Sequence, residues 1–198
     1  MLHKQIIIAT HLGSGGSMLL DMITANRRIA KLNRSPGQVF AEPPTVFRFQ
    51  TETKEHYPLA KMFVDEVVYN YEVLSPSLYS ICDFVFLIRE PEGAISSIVE
   101  KQQYTPEAAL RYYCFRLRRL SEMAKKTARK LVITWDELID KSCFPGLKKF
   151  IGLKELTSMY RPETINHLDR TIVTKGRLCY ERHLQFMRAL CSSPVLIT

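Results

Sequence analysis

The stretch Ile6-Ile7-Ile8-Ala9-Thr10-His11-Leu12-Gly13-Ser14-Gly15-Gly16-Ser17-Met18-Leu19-Leu20-Asp21-Met22-Ile23 joins a β-branched apolar run to apolar residues at helical spacing. The first part predicts a buried strand and the last part a helix. The small residues between them let backbone amides approach an anion at the positive end of the helix dipole. We therefore expect a phosphate to bind over Ser14–Met18. The alternative is a plain tight turn at Gly15 and Gly16, with Ser17 as an ordinary helix cap.

This loop lacks a feature of the GxxxxGK[ST] phosphate loop, because no lysine follows Gly16. That lysine reaches the β- and γ-phosphates of a bound nucleotide. The sequence also shows no clear acidic strand end to hold magnesium. A P-loop nucleotide or metabolite kinase therefore remains only an alternative.

Composition narrows the class of protein further. The 198 residues include 46% hydrophobic and 24% charged side chains, which fits one globular domain over residues 1–198. A net charge of +8 indicates an anionic partner. No apolar run is long enough to cross a bilayer and no signal peptide is evident, so neither membrane association nor export is expected. Five scattered cysteines without a CxxC pair indicate no zinc site and favour a cytoplasmic location.

The remaining pattern predicts an α/β protein. Buried strands are expected at Phe84–Ile88 and Leu131–Trp135, a further strand at Thr45–Phe49, and helices over residues 57–74, 92–101 and 105–130. Alternating strands and helices predict three layers, with a mainly parallel central sheet flanked by helices. Ligands bind at the carboxyl ends of strands in such sheets, which places the glycine-serine loop and Arg89 at the same edge.

Arg89 follows a predicted strand, and Ser96 and Ser97 lie one to two turns into the next helix. A guanidinium and a hydroxyl meeting there can hold a second phosphate. The alternative is a surface arginine paired with Glu90 or Glu92. With the first loop, these residues describe a ligand that carries two separated phosphates.

The order of these motifs resembles that of sulfotransferases, which use 3′-phosphoadenosine 5′-phosphosulfate (PAPS). The resemblance rests on Ser-Gly-Gly-Ser-x-Leu-Leu after a strand, Phe-Leu-Ile-Arg-Glu-Pro with a serine eight residues after its arginine, Glu42-Pro43, residues 131–138 and residues 147–153. It covers most of the chain and implies a P-loop NTPase-like sulfotransferase fold.

The resemblance implies a role for each matching residue. The 5′-phosphosulfate would bind the loop residues Ser14, Gly15, Gly16, Ser17 and Met18. The 3′-phosphate would bind Arg89 and Ser97, with Ser96 as a one-residue alternative, under a basic loop formed by Lys175, Gly176 and Arg177. The product of the donor would be adenosine 3′,5′-bisphosphate (PAP).

One departure from the family pattern concerns charge. Sulfotransferases commonly carry a lysine or arginine at or just before the position of Ser14, where this chain has Gly13-Ser14. Either another cation substitutes, with His11 nearest in sequence, or the chemistry is slow. A third interpretation is a non-catalytic nucleotide-binding module that has lost the loop cation.

A general base must deprotonate the acceptor hydroxyl or amine. The candidates are Glu42, His56, Glu52 and Glu55, with the first two favoured. No metal is implied, and the acceptor is expected to be a small metabolite or a carrier-bound group. Nucleic acid is not expected, because the basic residues of the 105–130 helix spread around its polar side. The oligomeric state is not predicted.

Overall fold

Five parallel strands form the centre of the protein. The computed structural model describes residues 3–32, 43–68, 74–157 and 168–192. In chain order the elements are β1 Lys4–Ala9, α1 Gly16–Thr24, β2 Ile29–Lys31, α2 Pro43–His56, β3 Met62–Val67, α3 Leu78–Ile81, β4 Asp83–Ile88, α4 Pro91–Gln102, α5 Pro106–Lys126, β5 Arg129–Thr134, α6 Trp135–Ile139, α7 Phe144–Ile151 and α8 Arg170–Ser192.

The strand order is β2-β3-β1-β4-β5, and every neighbouring pair is parallel. The central strand β1 pairs with β3 on one side and with β4 on the other. The loops that follow these three strands therefore leave the sheet at one carboxyl edge. This edge is where parallel α/β sheets bind their ligands.

Helices cover both faces of the sheet, as the alternation of side chains along a strand requires. Ile7 of β1 packs into a cluster with residues of α2, α4, α5 and α8. Its neighbours Ile6 and Ile8 pack into a second cluster with residues of α1, α6 and α7. The predicted three-layer α/β architecture is thus confirmed.

None of the described helices combines the length and hydrophobicity that a bilayer-spanning segment needs.

The predicted strands at residues 84–88 and 131–135 and the helices near 92–101 and 105–130 are confirmed as β4, β5, α4 and α5, with small shifts at their ends. Two other predictions are wrong. Residues 45–49 lie inside α2 rather than in a strand, and the segment from 57 to 74 contains the strand β3 instead of a helix.

The basic loop expected near the C-terminus is also a helix. Lys175, Gly176 and Arg177 lie within α8, so they do not form a loop that closes over a phosphate. Gly176 packs against α4, where an added Cβ would lie 2.7 Å from the Cβ of Pro91. Arg177 forms an ion pair with Glu92 in the first turn of α4. Close packing of two helices, rather than a turn, explains this glycine.

Candidate anion-binding site

The glycine-serine loop connects β1 to α1 at the carboxyl edge of the sheet. The first helical amide to find an intrahelical acceptor is that of Leu19, which donates to the carbonyl of Gly15. The N–H groups of the preceding turn, Gly16–Met18, have no acceptor within the helix and point out of its N-terminus. The N–H of Ser14 donates instead to the carbonyl of His11, so Ser14 offers its hydroxyl and not its amide.

A cavity of about 240 Å³ lies against this loop. Its described lining consists of residues 11–17, Glu66, Val68, Ser97, Ile98, Lys101 and Gln102. Arg89, Ser96 and Met18 are absent from the lining of this cavity. Ser96 is buried in α4, and Met18 packs against the core on the α1 side of the sheet.

Two buried hydroxyls in this lining have no hydrogen-bond partner. They are Ser14 Oγ, which is fully buried, and Ser97 Oγ, whose residue is 7% exposed. An unpartnered buried polar group costs about 1–3 kcal/mol, and most such groups in proteins are paired. Both hydroxyls belong to residues that line one cavity beside a helix N-terminus, which indicates a site for a ligand that supplies acceptor oxygens.

Replacing Ser97 with alanine is expected to weaken anion binding without destabilising the ligand-free protein. The hydroxyl has no partner to lose, whereas a hydrogen bond to a charged ligand contributes about 1.5–3 kcal/mol, or roughly 10- to 100-fold in affinity. Urea unfolding and titration calorimetry with PAP measure the two effects.

Ser121→Ala is the matched control for this prediction. Ser121 is also a buried helical serine, but its hydroxyl donates to the carbonyl of Leu117 and contacts His183 Nδ1 at 2.8 Å. That variant should lose about 1 kcal/mol of stability and keep its PAP affinity. Equal PAP affinity for Ser97→Ala and the wild type would remove Ser97 from the site.

Arg89 supports the loop from behind the cavity. Its guanidinium Nη1 donates to the carbonyl of Gly13 at 3.2 Å, and its Cζ lies 4.7 Å from the ring centre of Trp135. The side chain is buried, and Nε lies 3.4 Å from Glu90 Oε1. Arg89 thus links the glycine-serine loop to the segment that follows β4. Of the two residues predicted to bind the second phosphate, Ser97 lines this cavity and Arg89 does not.

His11 is a structural residue and not the missing cation. Its Nε2 accepts the N–H of Arg89 at 3.0 Å, and Nδ1 lies 2.8 Å from the carbonyl of Leu12, so Nδ1 carries the proton. Burial lowers the pKa of His11 to about 4. The imidazole is therefore neutral at physiological pH, because the charged form would be desolvated and would lack an acceptor at Nε2.

Side chains of α5 donate hydrogen bonds to backbone carbonyls at the same edge of the sheet. Arg116 is buried, and its Nε and Nη2 donate to the carbonyls of Thr10 and Val67 at 2.7 Å each. The hydroxyl of Tyr113 donates to the carbonyl of Arg89 at 2.6 Å. These contacts hold the ends of β1 and β3 and the start of the Arg89 segment in place. Arg116 thus links β1 to β3 through buried hydrogen bonds and is not part of a solvated basic face.

Glu66 is a site residue that the sequence did not indicate. It lies at the carboxyl end of β3, and its Oε1 accepts a hydrogen bond from Thr10 Oγ1 at 3.1 Å. A Cβ added to Gly16 would overlap this carboxylate, so Glu66 lies directly against the anion loop. Among the described residues that line the cavity, Glu66 is the only carboxylate.

The structure places three of the four expected bases, His56, Glu52 and Glu55, away from this edge. His56 ends α2 and lines a separate cavity with Thr24 and Ile29, at the amino edge of the sheet. The same end of α2 contacts the start of β1, since Lys54 Nζ lies 3.1 Å from His3 Nε2. Glu52 and Glu55 are exposed on α2, and Glu42 lies outside the described residues.

Solved structures resemble this chain in fold. A sulfotransferase from Alicyclobacillus acidocaldarius aligns over 98% of both chains, with a TM-score of 0.58 and 9% identity. The mouse sulfotransferase SULT7A1, complexed with PAP, aligns over all of this chain and 86% of its own, with a TM-score of 0.51 and 15% identity. The protein therefore has the sulfotransferase fold. No protein-family model matches the sequence, and no curated protein matches it either.

Proposed function

We propose that this protein is a PAPS-dependent sulfotransferase that transfers a sulfuryl group to a hydroxyl or amine. The observation that carries the proposal is a pair of unpartnered buried hydroxyls, Ser14 Oγ and Ser97 Oγ, on residues that line one cavity at a helix N-terminus. The fold supports it, since sulfotransferases share this sheet and one of them is complexed with PAP.

The residues around the cavity fit a donor with separated anionic groups. The amides of Gly16–Met18 and the hydroxyl of Ser14 would hold the 5′-phosphosulfate, and Ser97 would hold the 3′-phosphate. Arg89 would act as a positioning residue by fixing the carbonyl of Gly13. When bound, the donor supplies the sulfuryl group, and the protein contributes alignment and charge stabilisation.

We assign the role of general base to Glu66. An acceptor hydroxyl or amine that enters the cavity would meet this carboxylate, which lies against the anion loop and is held by Thr10. A carboxylate within hydrogen-bond reach of the acceptor can take its proton as the new bond forms. The acceptor would be a small metabolite or a carrier-bound group, and we place the reaction in the cytoplasm.

Calorimetry with PAP tests the donor assignment most directly. The protein should bind PAP and should bind adenosine 5′-monophosphate more weakly, because that ligand lacks the 3′-phosphate. It should also transfer the labelled sulfuryl group of PAPS to some member of an acceptor panel, with PAP as the other product. Failure to bind PAP would exclude a PAPS enzyme. Binding without transfer to any acceptor would favour the non-catalytic module.

The position of Glu66 gives the kinase alternative one supporting feature. An acidic residue does end the strand beside β1, contrary to what the sequence pattern indicated. The loop still lacks the phosphate-binding lysine, and the described residues contain no cluster of three metal ligands. Phosphate transfer from ATP with Mg²⁺, in the absence of sulfuryl transfer, would reverse the ranking.

A further inference from the structure

The anion site has an unbalanced charge on its lining. The loop residues 13–17 are all uncharged, and Glu66 places a carboxylate against them. A bound phosphosulfate adds further negative charge, and neutral amides compensate for only part of it. His11 is held neutral by burial and by its hydrogen bonds. Among the described lining residues, Lys101 is then the only cation.

Packing around Gly13 leaves no room for a side chain at that position of the loop. Gly13 has φ +74°, and a Cβ added there would lie 2.8 Å from the carbonyl oxygen of Ala94 and 3.0 Å from the Cβ of Ser97. Helix α4 therefore occupies the space that a loop side chain would need. A residue with a Cβ at this position would also destabilise the protein, because the left-handed backbone is strained for it.

The helix that blocks Gly13 carries its own cation on the same face. Ala94, Ser97 and Lys101 are spaced i, i+3 and i+7 along α4, which places them in one row. The first two contact the loop at Gly13, and the third continues the row into the cavity that Glu66 and Val68 of the β3 end also line. Lys101 is exposed and lines this cavity together with the end of β3.

We propose that Lys101 is the cation of the anion site and stabilises the leaving group of the transfer, a role that rests on the proposed function. In the reaction, the bond between sulfur and the bridging phosphate oxygen breaks, and its electron pair stays on that oxygen. A bond forms between sulfur and the acceptor oxygen or nitrogen, and the proton of the acceptor passes to Glu66. The Lys101 ammonium donates a hydrogen bond to the phosphate oxygen that gains charge.

The test compares Lys101→Met with the wild type, using PAP and adenosine 3′-monophosphate as probes. We expect the variant to bind PAP about tenfold more weakly, because a charge-assisted hydrogen bond to the 5′-phosphate is lost. Affinity for adenosine 3′-monophosphate, which lacks that phosphate, should not change. The kcat for sulfuryl transfer should fall by about 100-fold, as for removal of one oxyanion donor. Lys101→Arg should retain most of both quantities.

Lys149→Met is the matched control, because Lys149 is an exposed lysine of α7, on the opposite face of the sheet. Unchanged PAP affinity and kcat in Lys101→Met would overturn the role of Lys101 and leave the proposed function standing. Equal weakening of both ligands would overturn its placement at the 5′-phosphate. No PAP binding by the wild type would remove the proposed function, and this inference with it.

Discussion

Replacement of Glu66 by glutamine is expected to lower kcat for sulfuryl transfer by about 10²–10⁴-fold, the usual contribution of a general base. Glutamine keeps the size of the side chain and can still accept the hydrogen bond from Thr10 Oγ1. It cannot take a proton from the acceptor. The initial rate of sulfate transfer from PAPS, at saturating acceptor, measures the effect.

Binding of PAP separates this loss from damage to the site. The Glu66 carboxylate lies against the anion loop, so its neutralisation removes a repulsion and should leave PAP affinity equal or higher. Glu55→Gln, on the exposed side of α2, serves as the matched control and should have wild-type kcat. Normal turnover by Glu66→Gln would assign the base to another residue, with Glu42 as the next candidate.

The sequence pattern does not indicate Glu66 as a site residue, because it predicts a helix where the structure has β3. Apolar residues between 57 and 74 fall at helical spacing, with Asp65 and Glu66 on the apparent polar side. In the structure, β3 lies inside a parallel sheet and is covered on both faces, so Phe63 and Val64 are both buried. A doubly buried strand shows no alternation, and a short apolar run then carries no reliable period.

The glycine-serine loop shows the opposite case, in which local sequence is sufficient. A β-branched run, small residues and a helix with an apolar face are each local properties, and together they specify the strand, the turn and α1. The meeting of the loop with Ser97 also follows from the parallel order of strands. Which charge compensates for the anion depends on how α4 packs, and packing at Gly13 is not visible in the sequence.

Burial explains the remaining differences. His11 has the residue type of a possible cation, and Arg116 that of a solvated helix face. Both are instead buried and form hydrogen bonds with backbone groups at the carboxyl edge. The resemblance to sulfotransferases predicts a basic loop at Gly176. In α8 it instead allows close approach to Pro91. Tertiary contacts decide each of these roles.

Replacement of Gly13 by lysine is expected to destabilise the protein and to weaken PAP binding, although it places a cation on the anion loop. The left-handed backbone costs a residue with a Cβ about 1–2 kcal/mol. The contacts of that Cβ with the Ala94 carbonyl and with Ser97 add about 1–3 kcal/mol of overpacking. Because Ser97 itself lines the site, its displacement should also reduce affinity for PAP.

Gly152→Lys isolates the backbone contribution to this effect. Gly152 has φ +88° and no described atom within 4 Å of an added Cβ, so only the left-handed strain applies there. Urea unfolding should show a loss of about 1–2 kcal/mol for this control and a larger loss for Gly13→Lys. PAP affinity and kcat should change only in Gly13→Lys and should stay at wild-type values in Gly152→Lys. A Gly13→Lys protein as stable as the control, with a raised kcat, would show that α4 can yield and that the site lacks a sufficient cation.

The double variant Gly13→Lys with Lys101→Met then decides where the charge must lie. If charge alone limits catalysis, a lysine on the loop should compensate for the one removed from α4. If the packing of α4 against Gly13 sets the geometry of the site, the loop lysine cannot reach the leaving oxygen without displacing Ser97, and the double variant should be no more active than Lys101→Met. Measured against both single variants, kcat distinguishes these cases, because coupling between contacting residues is expected to be non-additive. Rescue by the double variant would mean that the cation can be exchanged between the two elements. Failure would mean that the site needs its cation on α4, because the packing of α4 against Gly13 leaves no room for one on the loop.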